Sequence, residues 1–286
     1  EAAVAGGIPI IAAIGQCLAA NRIESIHAIL NGTSNFILTQ MEEQGTDYAS
    51  AVAEAQRLGY AEANPAMDVD GTDAAQKLSI LAHLAFGARV NWKDIPRTGI
   101  DTVRAADIRY ANELGYSIKL LASAEVSPEG LELHVSPTLV RKQTPLAENR
   151  GAYNAIHVVG DAVGRVFFHG LGAGQMPTAS AVVADLIDTA VGRAAITFGL
   201  LELWSKHKPR VMPSDFADVR GRYYLRFCVE DRPSVLAEIC GELGKQGISI
   251  ASVLQHESEN GSPKASGAAT VPLIIMTHAT SEGQTR

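Results

Sequence analysis

Cysteine, aromatic residues and charge are all scarce in this chain. Three cysteines in 286 residues, Cys17, Cys228 and Cys240, are odd in number and far apart. They offer neither a disulfide framework nor zinc-ligand spacing, which fits a reducing cytosol and a cytoplasmic protein. Charged residues make up 19% and the net charge is −7. That balance argues against a nucleic-acid partner, whose phosphates need a basic face. Long apolar runs are also missing: Leu78–Phe86 is interrupted by His83 and falls short of the ~20 residues a membrane span requires. The eight histidines are scattered without ligand spacing, so no zinc site is expected. No strand is followed by G-x-G-x-x-G, so a dinucleotide fold is not encoded in these residues. What remains is 47% hydrophobic, enough for a real core and too much for wholesale disorder. The length suggests one large or two modest domains at ~100–200 residues each. The chain opens at Glu1 without Met and closes on Thr280–Arg286, which reads as a helix just begun. The expectation is an interior piece of a longer protein.

Hydrophobic spacing predicts a helix over Pro9–Ala20, with Ile10, Ile11, Ile14, Cys17 and Leu18 on one face. Arg22–Leu30 reads as a strand ending in the turn Asn31-Gly32-Thr33. Ser34–Glu43, Asp47–Leu58 and Asp73–Phe86 have helical periodicity and are stopped by Gly45, Gly59 and Gly87. Gly59–Thr72 has no period. Strands come next at Ser117–Val126, Leu131–Val140, Ala155–Val159 and Arg165–His169, then a long apolar helix over Thr178–Phe198. This order implies an antiparallel or mixed sheet covered by helices, hence an α+β domain over residues 1–200. Residues 201–221 are polar and proline-containing and read as a linker. Residues 222–286 read as a second domain of order βαββα: strand Tyr223–Val229, a helix opened by Pro233, strand Ile248–His256, a small-residue loop over Ser258–Ala269, strand Val271–His278 and a helix beginning at Ser281. Its pattern lacks one further strand and is read as partial.

The strongest chemical signal is the acidic run Glu62, Asp68, Asp70, Asp73 followed by Lys77. Asp73 and Lys77, four apart, share a helix face. They are either a surface ion pair worth ~0.3–0.5 kcal/mol or part of a pocket in which carboxylates hold an ammonium and the lysine moves a proton. Asn31-Gly32-Thr33-Ser34-Asn35 is either a helix cap or an anion-binding turn. Gly170-Leu171-Gly172-Ala173-Gly174 is a glycine-rich turn before a helix.

Taken together and in order, Gly6-Gly7-Ile8-Pro9-Ile10, Leu30–Asn35, Leu58–Glu62, Asp68–Lys77 and Gly172-Ala173-Gly174 resemble the homoserine dehydrogenase family over the chain up to about Gly199. Tyr223–His278, with Asp231-Arg232-Pro233 opening a helix, resembles an ACT domain. The resemblance implies NAD(P)-dependent interconversion of L-aspartate 4-semialdehyde and L-homoserine. It implies Lys77 and Asp73 as catalytic residues, Glu62, Asp68, Thr33 and Gly32 as substrate contacts, and Gly172 and Gly174 near the nicotinamide end of the cofactor. It implies a Na⁺ or K⁺ site at Glu1, Val4, Gly6 and Ile8, made largely of carbonyls. It further implies a homo-oligomer and a threonine effector for the ACT segment. Three positions depart from the family pattern: Asn64 for Asp, Leu171 for Pro and Ser234 for Gly. The competing class is a non-catalytic module that senses an amino acid and dimerises.

Overall fold

The computed structural model describes residues 1–200, 211–256 and 270–285 and divides into two units, residues 1–214 and 215–286. The first opens with α1 (Ile10–Ala12), which runs straight into a π-helical turn over Ala13–Cys17. This corrects the single helix expected over Pro9–Ala20. The Leu18 amide donates to the Ala13 carbonyl five residues back, at 2.8 Å. One extra residue in a turn rotates the next residues by about 100°. Leu18 thereby reaches the core, while Cys17, expected on the apolar face, is exposed.

The chain continues through β1 (Ile23–Ile29), α2 (Gly32–Gln44), α3 (Tyr48–Arg57), α4 (Ala66–Val69), α5 (Thr72–Phe86) and α6 (Ala105–Glu113). Four strands come after them: β2 (Tyr116–Ser127), β3 (Gly130–Arg141), β4 (Tyr153–Gly160) and β5 (Gly164–Leu171). The short helix α4 corrects the unpatterned reading of Gly59–Thr72. The apolar helix expected over Thr178–Phe198 is two helices, α7 (Gln175–Ala190) and α8 (Arg193–Leu200). Gly192, at φ +81°, breaks it, a conformation that costs glycine little and other residues more.

The sheet order is β3-β2-β1-β4-β5 with every neighbouring pair antiparallel. β1 is central, so Ile26 sits opposite both Ala124 and Val158. These residues join Leu78, Leu81 and Ala82 of α5 in one core, each buried leucine contributing roughly 1.5–3 kcal/mol. The core thus clamps α5 onto the sheet, and α5 carries Asp73 and Lys77 in its partly buried first turns.

One buried group works against this. Lys119 on β2 is 1% exposed, and its Nζ donates to the Asn149 carbonyl at 2.7 Å. Burial pulls its pKa down to about 8, against the attraction of Glu42. Between that value and the ordinary lysine range the unfolded chain binds the extra proton, so this group makes stability rise with pH there and costs most below about pH 8. The Asn149 carbonyl also accepts from Asn35 Nδ2 at 3.2 Å, so removing Lys119 leaves no orphaned oxygen. Lys119→Met is expected to stabilise the fold at pH 7 by about 1–3 kcal/mol, and the gain should shrink toward pH 10. Denaturant titrations at the two pH values check this; a gain independent of pH would remove the charge as its cause.

The second unit contains β6 (Arg220–Gly221), β7 (Tyr224–Glu230), α9 (Val235–Lys245), β8 (Ile250–Gln255), β9 (Thr270–Thr277), β10 (Thr280–Ser281) and α10 (Glu282–Thr285). β7-β9-β8 form an antiparallel sheet and β6 pairs with β10. The main strands and helices keep the βαββα order. Ser234 caps α9 in the left-handed region, at φ +74°. The loop read over Ser258–Ala269 lies outside the described residues, as does 201–210 of the linker. Of the linker's remainder, Met212 and Ser214 bond to Leu131 at 2.9 and 3.0 Å, while Phe216–Asp218 forms a 3₁₀ turn in the second unit. Among the described residues no helix is long and apolar enough to cross a membrane.

Candidate active site

Asn31 comes directly after β1 and begins α2. Its Oδ1 accepts from the Ser34 amide at 2.8 Å, which is the helix cap expected from the sequence. The other half of the side chain does something the sequence did not announce. Asn31 Nδ2 donates to Asp68 Oδ1 at 2.7 Å and to Asp73 Oδ2 at 2.9 Å. One buried amide thus ties together two carboxylates from separate elements. Asp73 Oδ2 also accepts from Lys77 Nζ at 2.7 Å, and the lysine makes a second bond, to the Leu30 carbonyl, at 3.0 Å. That carbonyl also accepts from Asn154 Nδ2 at 3.2 Å.

The pair Asp73–Lys77 is therefore not a surface ion pair free in solvent. Its side chains are 25% and 21% exposed, so the pair is largely shielded while both partners are held. Asp68 is half-buried, and its carboxyl is pushed above the usual range, chiefly by desolvation, with Asp73 and Glu62 adding to the push; the Asn31 hydrogen bond and the Lys77 charge oppose it. Glu62 acts on this group through its field, from an exposed position.

Local structure fixes the loop bearing these acids. The Tyr60 ring stacks on Phe36 with centroids 4.5 Å apart, and the Tyr60 carbonyl accepts from Thr33 Oγ1 at 2.6 Å. Ser34 Oγ donates to the Asp68 carbonyl at 2.7 Å. Asp70, an exposed residue, accepts from the Thr72 amide at 2.7 Å, at the start of α5. Gly32 is bare because a Cβ there would lie 2.6 Å from the Ala152 carbonyl oxygen.

The opening turn and the glycine-rich turn meet. The Gly7 amide donates to the Leu171 carbonyl at 2.9 Å, and a Cβ on Gly6 would collide with the Gly172 carbonyl. Ala5 and Gly6 are both left-handed, at φ +57° and +41°, which folds Val4–Ile8 into a tight turn. Glu1 places its carboxylate on the Ile11 and Ala12 amides, at 3.1 and 2.5 Å. Gly172 has its missing side chain accounted for inside the protein, since a Cβ would fall on the Asn154 amide. Gly174 differs: at φ +126° it caps α7, and the nearest atom to a Cβ there is Pro177 Cδ at 3.5 Å.

The homoserine dehydrogenase family profile matches residues 9–187, and the ACT domain profile matches residues 223–285. A homoserine dehydrogenase of Synechocystis sp. is 43% identical over 295 aligned residues, covering 100% of this chain and 66% of its own length. The crystal structure of a homoserine dehydrogenase from Thiobacillus denitrificans superposes with a TM-score of 0.89 at 43% identity, over 100% of this chain and 64% of that one. A hyperthermophilic archaeal homoserine dehydrogenase in complex with NADPH gives 0.56 at 30% identity, over 66% of this chain and 54% of that one. The chain spans a little under two thirds of the length of the curated relatives it matches. With its profile running through the sheet and α5, and its sequence aligned end to end with such relatives, this chain belongs to the homoserine dehydrogenase family and carries an ACT domain after the family's characteristic region.

Proposed function

We propose that the protein containing this chain interconverts L-aspartate 4-semialdehyde and L-homoserine. The observation that supports the reading most directly is Lys77, whose ammonium is anchored on Asp73 and Leu30 in a side chain that stays partly exposed. Reduction of an aldehyde builds negative charge on its oxygen. The Lys77 ammonium lies where it can stabilise that charge and donate the proton, and in the reverse direction take it back. Asp73 holds the ammonium in place. Asp68 and Glu62 provide the negative field for the substrate's α-ammonium, with Thr33 and Gly32 at the start of α2 as further substrate contacts. NAD(P), when bound, supplies or accepts the hydride. The turn ending at Gly174 is the part of this chain that would meet its nicotinamide end, with Gly172 fixing the turn from inside.

The remaining assignments belong to the same reading. Glu1, Val4, Gly6 and Ile8 would hold Na⁺ or K⁺. The ACT domain would bind threonine, with the α9 start after Glu230-Asp231-Arg232-Pro233 as its anion-binding side. The protein works in the cytoplasm as a homo-oligomer, at least a dimer.

The test is a steady-state assay of the full-length protein with L-homoserine and NAD⁺ or NADP⁺. Turnover that requires both is the expected result, with little or none from residues 1–286 alone. A full-length protein without such turnover would overturn the reading.

A further inference from the structure

Asn154, on β4, is 1% exposed and lies outside every motif of the sequence. Its Nδ2 donates to the Leu30 carbonyl at 3.2 Å, the oxygen that also receives Lys77 Nζ at 3.0 Å. The same amide group lies against the glycine-rich turn. A Cβ on Gly172 would lie 2.2 Å from Asn154 Nδ2, a separation no side chain sustains, so the amide lies against bare backbone. Asn154 Oδ1 is buried without a hydrogen-bond partner among the described residues. Leaving a buried amide oxygen unmatched costs about 1–3 kcal/mol. An apolar residue of the same size would avoid that cost, so filling space does not account for asparagine here. The amide orientation is fixed by its neighbour: turned over, it would set oxygen against the Leu30 oxygen.

We infer that Asn154 is a positioning residue for the proton-transfer step: it fixes the Leu30 carbonyl that anchors Lys77 and braces the Gly172 turn against it. The lysine and the turn that ends at Gly174 then keep one spacing. Through Leu30 the contact reaches the ammonium, and through Gly172 it reaches the cofactor side. This rests on the function proposed above.

The experiment uses the full-length protein with Asn154→Leu, which keeps size and removes the donor, and Asn154→Asp, which keeps shape and puts an acceptor against the Leu30 oxygen. Folding is checked by circular dichroism and melting temperature, and rates are referred to folded protein. Both variants are expected to lose roughly 10-fold in kcat, as misplaced catalytic groups do, with KM for L-homoserine within about 2-fold. The primary deuterium isotope effect on kcat, read with deuterated homoserine, should rise as the chemical step becomes limiting. A purely structural role would lower the melting temperature and leave kcat per folded molecule and the isotope effect unchanged; that result overturns the inference. If Asn154→Leu does not fold, the near-isosteric Asn154→Asp decides on the same readouts. Lys77→Ala is run alongside. Loss of turnover there with normal Asn154 variants sinks only the positioning role, whereas full turnover in Lys77→Ala sinks the assignment of the lysine itself.

Discussion

Lys77→Ala in the full-length protein is expected to lower kcat by roughly 10²–10⁴-fold while the fold survives, the usual scale for a lost acid–base group. Both halves of that expectation come from the bonds the ammonium makes. Nζ lies 2.7 Å from Asp73 Oδ2 and 3.0 Å from the Leu30 carbonyl. Removing it orphans neither acceptor, because Asp73 Oδ2 still receives Asn31 Nδ2 and Leu30 still receives Asn154 Nδ2. The side chain is 21% exposed at the rim of the helix, so truncation opens no sealed core cavity. What disappears is the cation proposed to sit against a developing alkoxide. Lys77→Arg is a useful second variant. It keeps the charge but replaces a compact point donor by a planar fork, and it should recover only a small part of the rate. Steady-state kinetics with circular dichroism check both; near-normal kcat in a folded Lys77→Ala protein would remove the lysine from the mechanism.

Local chemistry was the legible part of this site. The four-residue spacing of Asp73 and Lys77 is set by helix geometry alone, and the two side chains do meet. Asn31 as a helix cap was equally readable, since its Oδ1 and the Ser34 amide are three residues apart. The second half of the same side chain was not readable. Its amide bonds reach Asp68 and Asp73, 37 and 42 residues away, and only the packing of α5 on the sheet brings them there. Asn154 was invisible for the same reason: it lies 124 residues from its acceptor and falls just before the strand read over Ala155–Val159, without marking any turn. Gly172 read correctly as part of a turn, but the cause of its bare Cα is that distant amide. Among the elements, strands and helices with a strong period came out close to their observed ends. The helix α6 (Ala105–Glu113) was not read at all, and the other failures fall where backbone geometry changes without a change in hydrophobicity. The π-turn at Ala13–Cys17 keeps an apolar surface while shifting its phase, and Gly192 breaks a helix whose two halves are equally apolar. α4 is too short, at four residues, to show a period at all.

Asp68→Asn should separate the stability of the site from its use. The Asp68 carboxyl is pushed up mainly by desolvation, then by Asp73 and Glu62, and is only partly relieved by Asn31 and Lys77. A carboxylate kept charged in such a place works against the fold. Linkage gives the sign: a carboxyl whose folded pKa is raised favours the native state below the ordinary carboxylate range, and that contribution is lost as pH rises through the folded value. At neutral pH the ionised Asp68 therefore destabilises the protein relative to a neutral residue of the same shape. Asparagine is that residue, and its carbonyl can still accept the Asn31 Nδ2 bond now made at 2.7 Å. The melting temperature at pH 7 should thus hold or rise, and the advantage over the unsubstituted protein should fade toward pH 4. Binding should move the other way. Removing one member of a desolvated, hydrogen-bonded charge pair costs about 2 kcal/mol or more, which corresponds to a rise in KM for L-homoserine of roughly 30-fold or more. kcat should change less, because in the proposed reading the charge meets the substrate's ammonium and not its reacting oxygen. A variant that melts no lower and has an unchanged KM would show that the Asp68 charge plays no part in recognising substrate, and Glu62 would then be the acid left to test.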